Sequence, residues 1–361
     1  MKYIDEFRDQ KKIHKIIHKL KSYSVQGVSL MEFCGGHTVA ILKYGIRQVM
    51  PSGVAMLSGP GCPICVTDNS ELDKAMEFAV LDKIIFTTYG DMLRVPGSYK
   101  SLSQLKSEGA QVQFVYSPGD ALKIAKEQKE KDIIFFGVGF ETSAPALAAT
   151  VLKAKEKNLS NFYVYSALKL TPIAARAILQ MAEVKIHGIL GPGHVSTIIG
   201  LNAWSFIPSE YKIPVVVSGF EPLDILLSLD MLLAQIISGR AQTENEYSRS
   251  VTEHGNLKAT ELMNQVFEIQ DTAWRGLGVL PMSGLKLRKE FSEFDAEKKF
   301  NVPVQPVKHN PACRCAEVLR GILTPPECPL FRQQCTPSQP IGPCMVSPEG
   351  SCAAYYNYGN G

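Results

Sequence analysis

The nine cysteines carry the chemistry this sequence can do, and their spacing sorts them into three groups. The densest runs from Arg314 to Cys352, where Cys315, Cys328, Cys335, Cys344 and Cys352 lie among prolines and glycines, with Cys313 just outside. Pro325, Pro326, Pro329 and the prolines that follow to Pro348 forbid a long helix and cannot fill a central strand. A loop-rich segment of this kind needs a covalent or metal staple, which five or six thiols supply. Cys315, Cys328, Cys335 and Cys352 are separated by twelve, six and sixteen residues. Structural zinc sites favour two close C-x2-4-C pairs, so these gaps fit zinc poorly, whereas iron–sulfur clusters accept cysteines from irregular loops. The spacing points to a cubane [4Fe–4S] cluster, with a [2Fe–2S] cluster and a distorted zinc site as alternatives. Cys344 is a fifth candidate for four positions, and Cys313 is spare.

The second group, Cys62-Pro63-Ile64-Cys65, is a C-x-x-C at the turn before an expected helix. A helix dipole there lowers a thiol pKa and favours reversible dithiol–disulfide exchange, with Pro63 stiffening the turn. Half of a zinc site or two inert buried thiols are the competing readings. Cys34 stands alone in Cys34-Gly35-Gly36-His37-Thr38 at the end of a short apolar run. Its two glycines let the backbone approach a bound group, and His37 can donate to a ligand or tune the thiolate. A small buried cysteine beside a satisfied core histidine fits those residues equally well. His194 and Glu141 end later runs in the same manner, either facing a cleft or bracing a loop. His14 and His18 lie four apart but have no third ligand nearby, so they read as solvated surface imidazoles.

These residues need a scaffold, and 361 residues are enough for two or three domains. Apolar content of 45% with 20% charged residues describes an ordinary globular protein. A net charge of +3 is too weak to make nucleic acid or an acidic membrane the main partner. The start, MKYIDEFRDQKK, lacks the apolar core of a secretory signal, and the run Ile225 to Ile237 is too short to span a bilayer. A cytoplasmic protein with reduced thiols is expected, and nine is an odd count for a fully paired disulfide framework. No G-x-x-x-x-G-K-[ST] phosphate loop is present.

Residues 2–21 have the periodicity of a basic amphipathic helix. From Val28 onward, short apolar runs that end in Gly-rich turns alternate with helical stretches, the signature of βα units on parallel sheets. The runs are VSLMEF, VAML, KIIFTTYG, QVQFVYS, DIIFFGVG, NFYVYS, HGILGPG and PVVVSG. Gly59-Pro60-Gly61 with the strand ending at Gly90 parallels Gly191-Pro192-Gly193 with the strand ending at Gly219. The expected α/β fold is therefore two related parallel-sheet domains, 25–120 and 121–220, plus a third helical, loop-rich domain. That third part joins 1–24 to 221–361: helical segments from Leu223 to about Trp274, polar linkage to Pro306, then the cysteine-rich tail.

Taken together, CGGHT at Cys34–Thr38, GPGCPICVT at Gly59–Thr67, GFET at Gly139–Thr142, GPGHVS at Gly191–Ser196 and the tail CTPSQPIGPCMVSPEGSCAAYY resemble the HypD family of [NiFe]-hydrogenase maturation factors. The motifs run in family order from about residue 30 to the end of the chain. The resemblance implies two α/β domains and a third carrying a [4Fe–4S] cluster. It implies action with the small chaperone HypC and with HypE, which delivers cyanide made from a thiocarboxamide, in assembling the Fe(CN)2CO unit. On that resemblance Cys34 would hold the transient iron with a HypC cysteine, beside His37. Cys62 and Cys65 would be the redox dithiol, and Cys315, Cys328, Cys335 and Cys352 the cluster ligands. Two residues depart from the family pattern: Ala316 stands where Gly is expected, and Phe331-Arg332 where Phe-Gly is expected.

Cyanide and CO bind soft, low-valent iron, for which thiolate is a fitting ligand, and their attachment needs electrons. The expected mechanism passes electrons from the cluster to Cys62 and Cys65 while Cys34 holds the metal. Two other classes use the same letters: an iron–sulfur-dependent dithiol/disulfide oxidoreductase, and a zinc-stapled binding module.

Overall fold

The computed structural model describes residues 5–303 and 306–359. Its strands are β1 Val28–Glu32, β2 Val54–Ser58, β3 Ile84–Thr88, β4 Val112–Phe114, β5 Asp132–Gly139, β6 Phe162–Lys169, β7 Gly188–Pro192, β8 Val215–Ser218, β9 Thr243–Asn245, β10 Phe267–Trp274 and β11 Gly278–Leu287. They form two sheets, and the α/β class expected from the βα alternation is what the chain adopts. One sheet has the order β2-β1-β7-β8-β9 and is parallel throughout. The other runs β10-β11-β6-β5-β3-β4. Its β6-β5-β3-β4 part is parallel and its β10–β11 hairpin is antiparallel. Seven of the eight residues of β5 are buried, and all eight of β6, which explains why their sequences are continuous apolar runs with no polar face.

Sheet membership does not follow the division at residues 120 and 220. β3 and β4 fall within 25–120 but pair in the second sheet, whereas β7 and β8 fall within 121–220 but complete the first. The two Gly-Pro-Gly turns accordingly end strands of one sheet rather than one of each. A local pattern of apolar run and turn specifies a strand but says nothing about its hydrogen-bonding neighbour. The stretch expected to be helical and then polar also contains β10 and β11. Their turn is made by Gly276 at φ 79° and Gly278 at φ 76°, a conformation glycine adopts without steric cost.

The N-terminal helix is Gln10–Lys21, shorter than the expected 2–21, because Asp9 caps it by accepting the Lys11 N–H at 2.9 Å. Residues 2–4 of the expected helix lie outside the described residues. This helix packs on Pro222–Ile237, and its Ile16 and Leu20 share a core with Leu30, Leu226 and Leu229. It therefore covers the first sheet. Among the described residues no helix is long and apolar enough to cross a membrane.

The tail folds back across the carboxyl ends of the first sheet's strands. Its last helix, Ser351–Tyr358, packs on Gly35–Lys43, and its turn Pro343–Met345 packs on Pro63–Val66. The hairpin ties the second sheet to the same place. Trp274 is fully buried, stacks on Phe140 with centroids 6.0 Å apart, and shares a core with the cysteines of the tail.

Lys169 at the end of β6 locks this junction. It is 1% exposed, and its Nζ donates to Glu71 Oε2 at 2.7 Å and to the Ala273 carbonyl at 2.6 Å. Glu71 also accepts the Thr272 hydroxyl at 3.1 Å. Removing the ammonium strands a buried carboxylate. Lys169→Met should cost about 3–5 kcal/mol in urea unfolding, with the hairpin amides losing hydrogen-exchange protection first.

Candidate thiol and metal centre

Ligand-binding groups on parallel sheets gather at the carboxyl ends of strands, and the first two cysteine groups obey that rule. Cys34 follows β1 and starts the helix Gly35–Lys43 in extended backbone, φ −148° and ψ 123°. The parallel pairing of β1 with β2 brings Gly61 alongside. The Gly35 N–H donates to the Gly61 carbonyl at 3.1 Å, and a Cβ on Gly61 would collide with the Cys34 backbone. Gly35 is required for a different reason, since a Cβ there would strike the Glu349 carbonyl of the tail. At Gly36 a Cβ would sit 3.1 Å from the Phe220 ring and 3.7 Å from Cys34 Sγ. The CGGHT turn thus packs against three separate segments of the chain.

Beneath Cys34 lies Glu32, a charged-type residue 3% exposed inside an otherwise apolar strand. Its carboxyl accepts the Cys34 N–H at 2.8 Å and the Thr38 hydroxyl. Burial pushes it up to about 7, against the pull of those hydrogen bonds. Burial also pushes the Cys34 thiol up to about 12, with the Glu349 and Glu32 charges adding to the effect. A thiol so difficult to ionise is a poor free nucleophile. Replacement of its proton by a soft cation would make it a thiolate.

His37 is fully buried. Its Nε2 faces the Gly219 carbonyl at 3.0 Å and the Ser218 carbonyl at 3.2 Å, so that nitrogen carries the hydrogen. Nδ1 is then an acceptor, and it is buried without a partner. Burial lowers the ring's pKa to about 4, which keeps it neutral. The ring stacks on Phe220 at 4.6 Å, and His194 stacks on the same phenyl ring at 3.8 Å. His194 lines a cavity of about 550 Å3 together with Gly36, Phe220 and Tyr247. Of the two later strand-end residues, His194 therefore faces the Cys34 turn. Glu141 instead braces the helix Thr171–Met181, accepting the Thr171 N–H and hydroxyl at 2.8 Å each.

Cys62 and Cys65 are paired as a disulfide, with Cα atoms 5.2 Å apart, and both are buried. The helix after Cys62, Pro63–Val66, is a single turn, and the longer Asn69–Ala79 is capped separately by Asp68. A one-turn dipole has little leverage on a thiol, so the helix-terminus argument for an activated thiolate is weaker than the sequence suggests. The pair is clamped from the hairpin side. Thr67 bridges to Trp274, and the Arg275 N–H donates to the Val66 carbonyl at 2.9 Å.

The remaining six sulfurs converge. Cys315 Sγ lies 2.7 Å from Cys344 Sγ, and Cys344 in turn contacts Cys352. Cys335 feels the charges of Cys328 and Cys352 and accepts the Ile341 N–H at 3.3 Å. Cys344 is 1% exposed and sits inside the group, so the fold does not set it apart from Cys315, Cys328, Cys335 and Cys352. Cys313 is half-buried at the edge, against Gly342. Among the described residues no three His, Cys, Asp or Glu side chains are arranged around a single metal ion. A cluster spreads its ligands over a larger body than one ion. The all-sulfur donor set fits soft iron and suits hard cations badly. His14 and His18 are both exposed, as expected.

The two departures in the tail have local explanations. Arg332 has φ 59°, the left-handed region where glycine is easy. Its guanidinium compensates by donating to the Tyr356 and Gly359 carbonyls at 3.2 and 3.0 Å, at the negative end of the last helix. Ala316 packs against Gly276, which has no side chain to oppose it.

A family model described as "Hydrogenase formation hypA family", HypD, matches residues 9–359. The hydrogenase maturation factor HypD of Azotobacter vinelandii is 45% identical over 99% of this chain and 97% of its own. HypD of Cupriavidus necator is 44% identical over 99% of this chain and 97% of its own. HypD of Escherichia coli K12 is 43% identical over 99% of this chain and 98% of its own. The chain belongs to the HypD family. Like its relatives it is a HypD hydrogenase maturation factor, and its cysteine centre is to be read in that light.

Several residues of this HypD centre escape a reading of spacing alone. Phe220 and Phe140 share the triplet Gly-Phe-Glu with Gly219 and Gly139, and each stacks on a ring at its strand end. Glu32 had a signal too, a carboxylate inside an apolar run.

Burial gives Glu141 a carboxyl pKa of about 7, against 4.5 as its ordinary value. A group raised on folding stabilises fully below its unfolded pKa, and that contribution is lost as pH rises through the folded value. Glu141→Gln should flatten the stability–pH slope between 4.5 and about 7 by roughly one proton, worth about 3 kcal/mol across the window. Denaturant midpoints across that range measure it.

Proposed function

We propose that this maturation factor is the scaffold on which the Fe(CN)2CO unit of [NiFe]-hydrogenase is assembled. In this reading Cys34 holds the iron together with a cysteine of HypC, and cyanide arrives from HypE. The setting is the cytoplasm, where the Cys62–Cys65 pair cycles between disulfide and dithiol. The observation that carries the proposal is the meeting of all three sulfur groups. Gly61 touches Cys34 and immediately precedes Cys62, while the turn holding Cys344 packs on the Cys62–Cys65 helix.

A [4Fe–4S] cluster on Cys315, Cys328, Cys335 and Cys352 would supply single electrons when bound. Two electrons and two protons reduce the Cys62–Cys65 disulfide to a pair of thiols beside the iron. Glu32 and Thr38 fix the Cys34 backbone, and the neutral His37 offers its unpartnered Nδ1 as a hydrogen-bond acceptor at the same turn. Phe220 and the tail at Glu349 shield the site from bulk water.

The burial of Cys62 at 3% and Cys65 at 0% weighs against a free-standing oxidoreductase acting on other proteins' disulfides, because such a substrate must reach one sulfur in line.

Two measurements test the proposal. Anaerobically purified protein should contain iron and inorganic sulfide; absence of both ends the cluster assignment. Cys34→Ala should leave that cluster intact yet remove the infrared cyanide and carbonyl bands of the HypC complex. Bands that persist would sink the role of Cys34.

A further inference from the structure

We propose that His194 is the hydrogen-bond donor that receives a cyanide ligand of the iron held at Cys34. The inference rests on the reading of Cys34 as the iron-holding thiol.

Four observations point the same way. His194 follows β7, the strand paired with β1, so the register of the first sheet sets its ring close to the Cys34 turn. Its ring lies on Phe220, which also contacts Gly36 and would meet a Cβ there; Cys34 Sγ borders the same spot. His194 and Gly36 line one cavity of about 550 Å3, which has room for a small ligand sphere around a metal. Finally, the two charged side chains that line the cavity make ion pairs of their own. Arg249 is held by Asp224 at 3.0 Å, and Glu221 accepts from Arg8 at 2.9 Å. His194 is solvent-exposed, and among the described residues its ring nitrogens have no hydrogen-bond partner within the protein.

The two histidines on Phe220 are therefore not equivalent. His37 spends its only N–H on backbone carbonyls and offers an acceptor. A neutral His194 keeps one N–H free for a ligand. A metal-bound cyanide carries negative charge at its outer nitrogen and is a strong acceptor, whereas a carbonyl oxygen on iron is a weak one. An imidazole donor at this position therefore distinguishes the two diatomics, in competition with the Tyr247 and Ser250 hydroxyls that line the same cavity.

The test uses the iron-loaded complex with HypC and infrared spectroscopy in H2O and D2O. With wild-type protein one cyanide band should move on deuteration while the carbonyl band stays in place. In His194→Ala the bands should remain, with that cyanide band displaced and its deuterium sensitivity gone. His194→Gln, which retains an N–H donor, should restore part of both. Superimposable wild-type and His194→Ala spectra in both solvents would overturn the proposal. If His194→Ala loses every band, the Gln variant decides: recovered bands support the donor role, and continued absence assigns His194 to the fold instead. Wild-type protein without bands would fail the Cys34 reading first, and this inference with it.

Discussion

Everything in this molecule depends on one backbone contact, the approach of Gly61 to Cys34 at the carboxyl end of the β1–β2 pair. The contact leaves no room for a side chain at Gly61, and it fixes the distance between the lone thiol and the neighbouring C-x-x-C. The parallel register Glu32↔Ser58 sets it, so both segments reach the same height above the sheet. The tail then closes over this height from above, at Gly35 through Glu349 and at Pro63–Val66 through Pro343–Met345. A slip of one residue between β1 and β2 would turn Cys34 toward the opposite face.

The tail has little secondary structure with which to satisfy itself, and its order comes from being wedged between two sheets. It shares a core with Phe33, Trp274 and Leu280, so the thiols are buried by side chains from elements far apart in sequence. The Lys169–Glu71 pair fixes the second sheet to the same wedge. A buried ion pair contributes little net stability compared with an apolar replacement. Its contacts with the Ala273 carbonyl and, through Glu71, the Thr272 hydroxyl tie the hairpin to the helix Asn69–Ala79.

How much of this could be read from the letters depended on whether the information was local. The strands from VSLMEF to PVVVSG and their Gly turns were legible because each is a run ended by its own punctuation. The three cysteine groups were legible because chemistry restricts what such spacings do. Which sheet a strand joins was not, since β3 follows β2 along the chain yet pairs with β5 across 48 residues of sequence at Ile84↔Asp132. The β10–β11 hairpin was missed because its outer positions Glu268, Gln270 and Asp271 mask the apolar alternation. Phe220 was missed because its role exists only after β1 and β8 stand in one sheet, whereas Glu32, bound to Cys34 and Thr38 close by in sequence, had a local signal.

The electrostatics of the Cys34 site favour metal over free thiol chemistry. Burial keeps His37 neutral, raises Glu32 to about 7 and leaves Cys34 protonated, so these three titratable groups together contribute little charge. The charges that act on Cys34 are the carboxylates of Glu349 and Glu32, and Arg47, which acts on Glu32, is engaged with the Met56 carbonyl and the Tyr355 ring. A soft metal bound there would replace the thiol proton and turn Cys34 into a thiolate ligand, whereas ionisation without a metal would leave a bare anion in a buried site.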